Sequence, residues 1–179
     1  MKKLLFLLPA LLLIAQLTFA QSLENPTGEV RLNFLNTIII GSVELGYEHF
    51  VGHDQSIGVE LHINDRFNYR SASGGRDFDA TSILLSYNFY FAGDENGKLH
   101  ISPFFKYRFG EFREAVDGSG VTTTDLNSGY IGLIGGYKWN YNNFAFGPFA
   151  AVARGFSAEV ADRFNAVEFR AGLNVGYRF

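Results

Sequence analysis

The chain has 179 residues, a length that fits a single domain. Its 18 acidic side chains outnumber its 15 basic ones and no basic patch is present, which excludes the electrostatic footprint of a nucleic-acid-binding protein. Cysteine is absent, which excludes disulfides, thiolate metal sites and a lipid-modified N-terminal cysteine.

The N-terminus has the three-part pattern of a cleaved secretory signal. Two lysines precede an apolar run at 4–17, and the small side chains of Thr18 and Ala20 follow it. This run is shorter than the roughly 20 residues that a membrane-spanning helix needs, so a cleaved signal is favoured over an uncleaved anchor helix. The sequence therefore predicts a signal peptide at 1–20 and one domain at 21–179.

Alternation of apolar and polar residues predicts β-strands throughout the remaining chain. The pattern is clearest near the C-terminus, where Phe169 and its apolar neighbours alternate with Glu168 and Arg170. Successive side chains of a strand point to opposite faces, so a strand separates the two sets, whereas a helix would mix them. The same alternation predicts strands at about 30–37, 43–48, 57–64, 82–91, 99–110, 130–139, 144–154 and 167–179. The seventh segment is apolar on both faces, so its orientation stays open.

The connections between these segments alternate in length. After the second, fourth and sixth segments the turns are short and polar, at 52–55, 93–97 and 140–143. After the third, fifth and seventh segments the links are longer, at 65–77, 111–127 and 157–165. The first link, near Gly41, is short and breaks the trend. Short turns at one end and long links at the other are typical of membrane-spanning antiparallel barrels.

The two faces of the predicted strands favour a membrane barrel over a soluble sheet. An exposed face of Phe, Tyr, Leu and Ile would aggregate in water, so a soluble sandwich would have to bury it. Small residues such as Gly46, Gly132 and Gly172 share the charged face, as a narrow barrel interior requires. Aromatic residues that collect at the short-turn ends, like an interfacial girdle, are Phe50, Tyr90, Phe91, Tyr137, Trp139, Tyr141, Tyr177 and Phe179.

The predicted fold class is all-β, an eight-stranded antiparallel up-and-down transmembrane β-barrel. Pro103 and Pro148 fall inside predicted strands of this ring. A closed ring has no edge strand to hold a proline, which cannot donate to the ladder. We therefore expect both prolines near strand ends or at bulges.

The C-terminal residues carry a resemblance to a known family. Tyr177 and Phe179, preceded at alternate positions by Val175, Leu173 and Ala171, resemble the signature that the barrel-assembly machinery of outer membranes reads. Together with the signal and the eight segments, they make the chain similar to small OmpA-like or OmpX-like outer-membrane barrels, which include families of unassigned function. The resemblance implies export to a bacterial outer membrane and contact with its lipid and lipopolysaccharide. No cofactor is expected.

The charged face of the strands, placed inside the barrel, would line its lumen with ionisable side chains. Eight strands leave an interior that side chains fill, so we expect a salt-bridged network that closes it. A narrow or gated ion path is the alternative. The residues predicted to form this network are Arg31, Glu44, Glu48, Glu60, His62, Lys106, Arg108, Lys138, Glu168 and Arg170.

His100 and Ser102 are the candidate pair for nucleophilic chemistry, because they resemble the His-x-Ser pair of outer-membrane lipid A deacylases. In those enzymes Asn follows the serine, whereas Pro103 follows it here, and no third residue is identified that would orient the histidine. His53 and Asp54 belong to a polar turn and are interpreted as solvated rather than metal-binding. We therefore predict no catalytic and no metal-binding residue, and a lipid-modifying enzyme remains a minor alternative.

The long links are the expected site of function, because loops face partners and tolerate variation. Arg66, Tyr69, Arg70 and Arg76 make one link basic and aromatic, whereas the link at 111–127 is acidic. The two links could pair with each other, or contact lipopolysaccharide phosphates or a protein partner. The sequence thus predicts a non-enzymatic structural or surface-interaction role, with a low-conductance pore as the alternative.

Overall fold

A computed structural model describes residues 26–66, 76–116 and 120–179, so the predicted signal peptide lies outside the described residues. The described residues form nine β-strands and two short α-helices. Neither helix is long and apolar enough to cross a membrane. The elements are β1 (Gly28–Asn33), α1 (Phe34–Ile40), β2 (Val43–Gly52), β3 (Gln55–Ile63), β4 (Arg76–Asp94), β5 (Gly97–Val116), β6 (Gly120–Asp125), β7 (Ser128–Tyr141), β8 (Phe144–Gly155), α2 (Ala158–Arg163) and β9 (Val167–Arg178).

Eight of these strands close into an antiparallel ring. β1 pairs with both β2 and β9, β4 pairs with β5, and β5 pairs with β7, so the ring follows chain order and leaves out β6. At the seam between the first and last strands, Val30 lies opposite Tyr177 and Leu32 lies opposite Val175. The predicted all-β, eight-stranded antiparallel barrel is therefore confirmed.

The two ends of the ring differ in their connections. At one end, two-residue turns join β2 to β3, β4 to β5 and β7 to β8, and we call this the short-turn end. Asn142, in the last of these turns, has a φ of 52°, a left-handed conformation that asparagine tolerates. The other end carries α1, the link between β3 and β4, β6 and α2, and we call it the long-link end.

The prediction of a first strand over 30–37 is wrong in its second half. β1 stops at Asn33 and is followed directly by α1. The Asn33 side chain accepts a hydrogen bond from the Asn36 N–H and so caps the helix, which Gly41 ends in the left-handed region with a φ of 65°. These two caps outweigh the strand preference of the β-branched residues between them.

The long link predicted at 111–127 contains strand structure that the sequence analysis did not predict. β5 continues beyond the ring, β6 folds back along one side of it, and the start of β4 pairs with its other side. This extension and α2 together bury Phe78, Phe112, Leu126 and Val160, each at most 4% exposed. Charged residues surround the two phenylalanines in sequence and hide this short alternating pattern. We define the cap as residues 76–80, 110–116 and 120–125 together with α2.

The expectation that the prolines lie at strand ends or bulges is wrong as well. Pro103 lies within β5 and Pro148 within β8. On one side of each proline the pairing lapses for two residues and then resumes in the same register. On the other side, Pro103 stays opposite Leu133 and Pro148 stays opposite Leu173. A missing N–H therefore interrupts one ladder locally without shifting the strand.

Gly132 offers a direct test of how tightly the ring is packed. A Cβ at Gly132 would lie 2.3 Å from the Val152 carbonyl oxygen and 2.7 Å from Phe104 Cζ, so Gly132→Ala must displace its neighbours. We expect the free energy of unfolding to fall by about 1–3 kcal/mol, measured by urea titration in detergent. Gly135→Ala on the same strand is the control, because a Cβ there meets no atom within 4 Å. Equal losses at the two positions would contradict the packing described here.

Candidate functional site

Charged side chains project from several strands into the ring, and near the short-turn end they converge on Glu48. Arg31 Nη1 lies 2.5 Å from Glu48 Oε2, and Lys138 Nζ lies 2.8 Å from the same oxygen. Glu48 Oε1 accepts hydrogen bonds from the hydroxyls of Ser56 and Tyr90. Glu48 is 0% exposed, so these four donors replace its hydration shell.

A second group of ion pairs lies toward the long-link end. Lys106 Nζ lies 2.6 Å from Glu168 Oε1 and 3.3 Å from Asp65 Oδ2. Arg108 Nη2 lies 2.9 Å from an oxygen of each of the same two carboxylates. Its Nη1 donates to the Tyr130 hydroxyl at 2.7 Å. Two cations therefore face two carboxylates within this buried group.

Glu60 and Arg170 extend the first group along the lumen. Glu60 lies 2.6 Å from Arg31 Nη2 and 2.8 Å from His62 Nε2, and Arg170 Nη2 lies 3.6 Å from it. The carboxylate of Glu60 can only accept, so the His62 Nε2–H donates that bond. Arg170 Nη1 lies against the same ring, 2.9 Å from Nδ1 and 3.0 Å from Nε2. Arg170 shares the inner face of β9 with Glu168, which brings the chain of pairs toward the second group.

All ten residues predicted for the lumen face inward; nine of them lie in at least one ion pair, and His62 hydrogen-bonds to Glu60. The structure adds two carboxylates that sequence analysis missed. Glu29, 3.1 Å from Lys138 Nζ, extends the alternation of Arg31 by one period and could have been found from it. Asp65 follows the end of β3, where the strand period no longer applies, and accepts a hydrogen bond from the Ser82 hydroxyl.

Apolar side chains fill the other side of the lumen. Leu84, Phe104, Ile134 and Phe149 point inward and belong to one buried cluster, each at most 7% exposed. A cavity of about 20 Å³ remains between this cluster and charged residues such as Lys138. That volume holds about one water molecule. The side chains around this cavity therefore leave room there for little more than one water molecule.

The outward face of the ring is apolar, and β8 shows it most clearly. Phe144 and Val152 point outward while Phe149 and Ala151 point inward, which resolves the orientation that the sequence left open. The outward positions stay uncharged from Phe144 until Arg154. At about 3.3 Å per residue this stretch rises about 33 Å along the strand. A tilt of about 40° then gives an apolar band about 25 Å tall.

Aromatic side chains rim the short-turn end of this wall. Trp139 is 41% exposed and stacks on Phe146, with ring centroids 5.5 Å apart. Tyr177 packs against Phe144 at 5.7 Å. Tyr90, expected in the girdle, lies inside the ring at 8% exposure. The alternation of β4 puts it on the inner face, so its nearness to a turn was misleading.

The four residues predicted to make surface contacts have different surroundings. Arg76 Nε lies 3.2 Å from Glu114 Oε1, an ion pair between the basic and acidic links. Arg66 is half-buried and lines a small cavity beside α1. Tyr69 and Arg70 lie outside the described residues.

His100 and Ser102, the candidate pair for nucleophilic chemistry, both face the lumen. His100 Nδ1 lies 3.2 Å from Ser102 Oγ. The adjoining cavity of about 20 Å³ holds about one water molecule. At the short-turn end, Lys98 donates to Asp54 at 2.6 Å, and this bond lowers the pKa of the exposed Asp54 carboxyl. Across the described ranges, no three His, Cys, Asp or Glu side chains are grouped to hold a metal ion.

The ring closure and its inward charges can be compared with solved structures. The structure is similar to the N-terminal β-barrel domain of OprF from Pseudomonas aeruginosa, with a TM-score of 0.55, 14% identity, and 85% of this chain and 95% of that one covered. The chain has the fold of the eight-stranded outer-membrane β-barrels. Neisserial surface protein A is similar too, with a TM-score of 0.50, 13% identity and coverage of 85% and 93%. No protein-family model and no curated protein sequence matches the chain.

Lys106→Met tests how much the buried pairs contribute to stability. It removes the cation that faces Glu168 and Asp65 and leaves their charges only partly compensated. We expect the free energy of unfolding in urea to fall by about 3–5 kcal/mol. Lys98→Met is the matched control, because it breaks an exposed pair with Asp54 and should leave the unfolding midpoint nearly unchanged. If both variants lose the same stability, the buried pairs do not hold the barrel together.

Proposed function

We propose that this chain is an integral protein of a bacterial outer membrane, exported by a cleaved signal, with a structural or surface-interaction role and no enzymatic activity. One observation carries the proposal: ionisable side chains pair inside the ring, and large apolar side chains cover its outside. In water, an apolar wall of this extent would drive association. The acyl chains of a bilayer are the surroundings that suit it.

The architecture supports an outer membrane in particular. In lipid, only helices and closed barrels satisfy all backbone hydrogen bonds internally. A closed ring with an apolar band about 25 Å tall and short turns at one end has the proportions of outer-membrane barrels. The barrel domain of OprF and Neisserial surface protein A share this fold.

The filled lumen supports a closed barrel rather than a pore. Ion pairs occupy one side of it and the cluster around Phe104 occupies the other. A conducting path would need several of these buried pairs to separate, and each separated charge would lose its compensation. A low-conductance pore is the alternative, and it would have to open through the cavity of about 20 Å³ near the short-turn end.

The cap supports a role at the cell surface. Its buried apolar residues hold β6 in place, and Val121 on this strand is 67% exposed. Arg76 keeps 49% of its side chain exposed while it pairs with Glu114, so it remains accessible to a phosphate group or a protein. The residues proposed for contacts with lipopolysaccharide or a protein partner are Arg66, Tyr69, Arg70 and Arg76.

The last strand supports recognition by the barrel-assembly machinery. Tyr177 and Phe179 are the residues proposed for that contact. The Phe179 carbonyl accepts hydrogen bonds from the N–H groups of Thr27 and Gly28 at 2.8 and 2.9 Å, which closes the ring against β1. The same residues therefore serve a structural role in the finished barrel.

Cysteine labelling in intact cells tests the proposed placement, because the natural chain has no cysteine. We expect a membrane-impermeant maleimide to label Val121→Cys on the cap, and Val152→Cys on the apolar band to react only after denaturation. The two native side chains are both exposed, at 67% and 42%, so lipid rather than protein must protect the second. Rapid labelling of Val152→Cys in intact cells would exclude the membrane placement.

Single-channel recording separates the closed barrel from the pore. Purified protein in a planar bilayer should give no discrete current steps, because side chains fill the lumen. Regular steps that disappear when the protein is left out would support the low-conductance pore instead.

A further inference from the structure

On one side of β9, strand pairing covers only part of the length of the strand. β1 ends at Asn33, which lies opposite Asn174 in the middle of β9, whereas β9 extends on to Val167 at the long-link end. On its other side β9 stays paired with β8 over this whole stretch. α1 packs against β9 where β1 is missing. The helix therefore takes the place of a strand in the half of the wall that lies toward the long-link end.

The outward side of α1 is as apolar as the strands that it replaces. Ile38 is 66% exposed and Ile39 is 67% exposed, and Phe34 and Leu35 are exposed as well. The helix contains no charged residue. By contrast, α2, in the link between β8 and β9, has the sequence AEVADR, in which Glu159, Asp162 and Arg163 are charged and suited to water.

The polar side chains of α1 point inward and are satisfied by protein groups. Asn36 Nδ2 donates to Glu44 Oε1 at 2.9 Å, and Thr37 Oγ1 donates to the Asn33 carbonyl at 2.8 Å. Beyond the helix, Asn64 Nδ2 donates to the Gly41 carbonyl at 2.9 Å. Internal pairing of polar groups is what a segment in hydrocarbon requires, since lipid offers them no partner.

Charged groups lie directly behind the helix. Glu44 Oε2 lies 3.3 Å from Arg170 Nη1, and Asn36 and Ile40 line a small cavity together with both residues. Without α1, this ion pair would face the surroundings of the ring. The helix therefore separates the end of the charged network from whatever covers Ile38 and Ile39.

We propose that α1 is a membrane-embedded part of the barrel wall, and that Ile38 and Ile39 contact acyl chains of the outer leaflet. The inference rests on the proposed membrane insertion of the barrel. It follows from the continuity of the helix with the apolar wall, since the outward face of β9 beside it carries Phe169 at 65% exposure. The link between β1 and β2 is then a lipid-facing element rather than an extracellular loop.

Tryptophan fluorescence in vesicles tests this assignment, because Trp139 is the single tryptophan of the chain. In a Trp139→Phe background we would compare Ile39→Trp with Val121→Trp on the cap and Val152→Trp on the band. Ile39 and Val121 are matched at 67% exposure. Each variant is folded into phosphatidylcholine vesicles with or without bromine on the acyl chains, and quenching by bromolipid and by aqueous acrylamide is measured. Ile38→Trp replaces Ile39→Trp if the latter does not fold.

The proposal predicts that Ile39→Trp loses as large a fraction of its emission to bromolipid as Val152→Trp, while Val121→Trp is quenched by acrylamide alone. Acrylamide quenching of Ile39→Trp, with Val152→Trp still quenched by bromolipid, would overturn the role of α1 and leave the membrane barrel intact. Protection of Ile39→Trp from both quenchers would overturn it too and would indicate contact with a second copy or another protein. If Val152→Trp also escapes bromolipid, the membrane placement itself fails.

Discussion

The polar groups that the ring encloses have to be satisfied mainly by one another, because neither the apolar wall nor a bilayer can supply a partner. Among the described residues, buried atoms such as Arg31 Nε and Ser86 Oγ are exceptions that lack a hydrogen bond. Six carboxylates and five Lys or Arg side chains meet this constraint by pairing across strands. Desolvation offsets much of the attraction in such pairs, so they need not add net stability. What they do is penalise any arrangement in which one partner is missing.

The same constraint decides where the wall can depart from a regular sheet. Proline removes a single donor on one side of β5 and β8, and the register survives. Beside β9, where β1 ends, α1 takes the place of a strand, with its first turn capped by the Asn33 side chain and its end capped by Gly41. Beyond the apolar band the constraint relaxes, since water can hydrate exposed groups. There the cap carries exposed charged pairs such as that of Arg113 with Glu111, while its buried apolar residues belong to the same cluster as those of the lumen.

The alternating pattern was sufficient to predict the ring and most of its inward charges, because a period of two is a local property of each strand. It was insufficient wherever a side chain's position depends on something outside its own strand. Asp65 reaches the lumen from beyond a strand end, and α1 forms because Asn33 and Gly41 cap it against the preference of its isoleucines. The cap formed by the extensions of β4 and β5 with β6 and α2 was missed, because its apolar residues are few and are brought together by pairing between distant segments.

The strands form a closed barrel, and we propose that this barrel is embedded in a membrane. Electrophoresis of the outer-membrane fraction in detergent, with one sample boiled and the other kept cold, tests it most directly. We expect to find the protein in that fraction, and we expect the cold sample to migrate differently from the boiled one, because a closed barrel with buried ion pairs resists unfolding by cold detergent. Recovery of the protein in the soluble fraction, with identical migration of both samples, would contradict it.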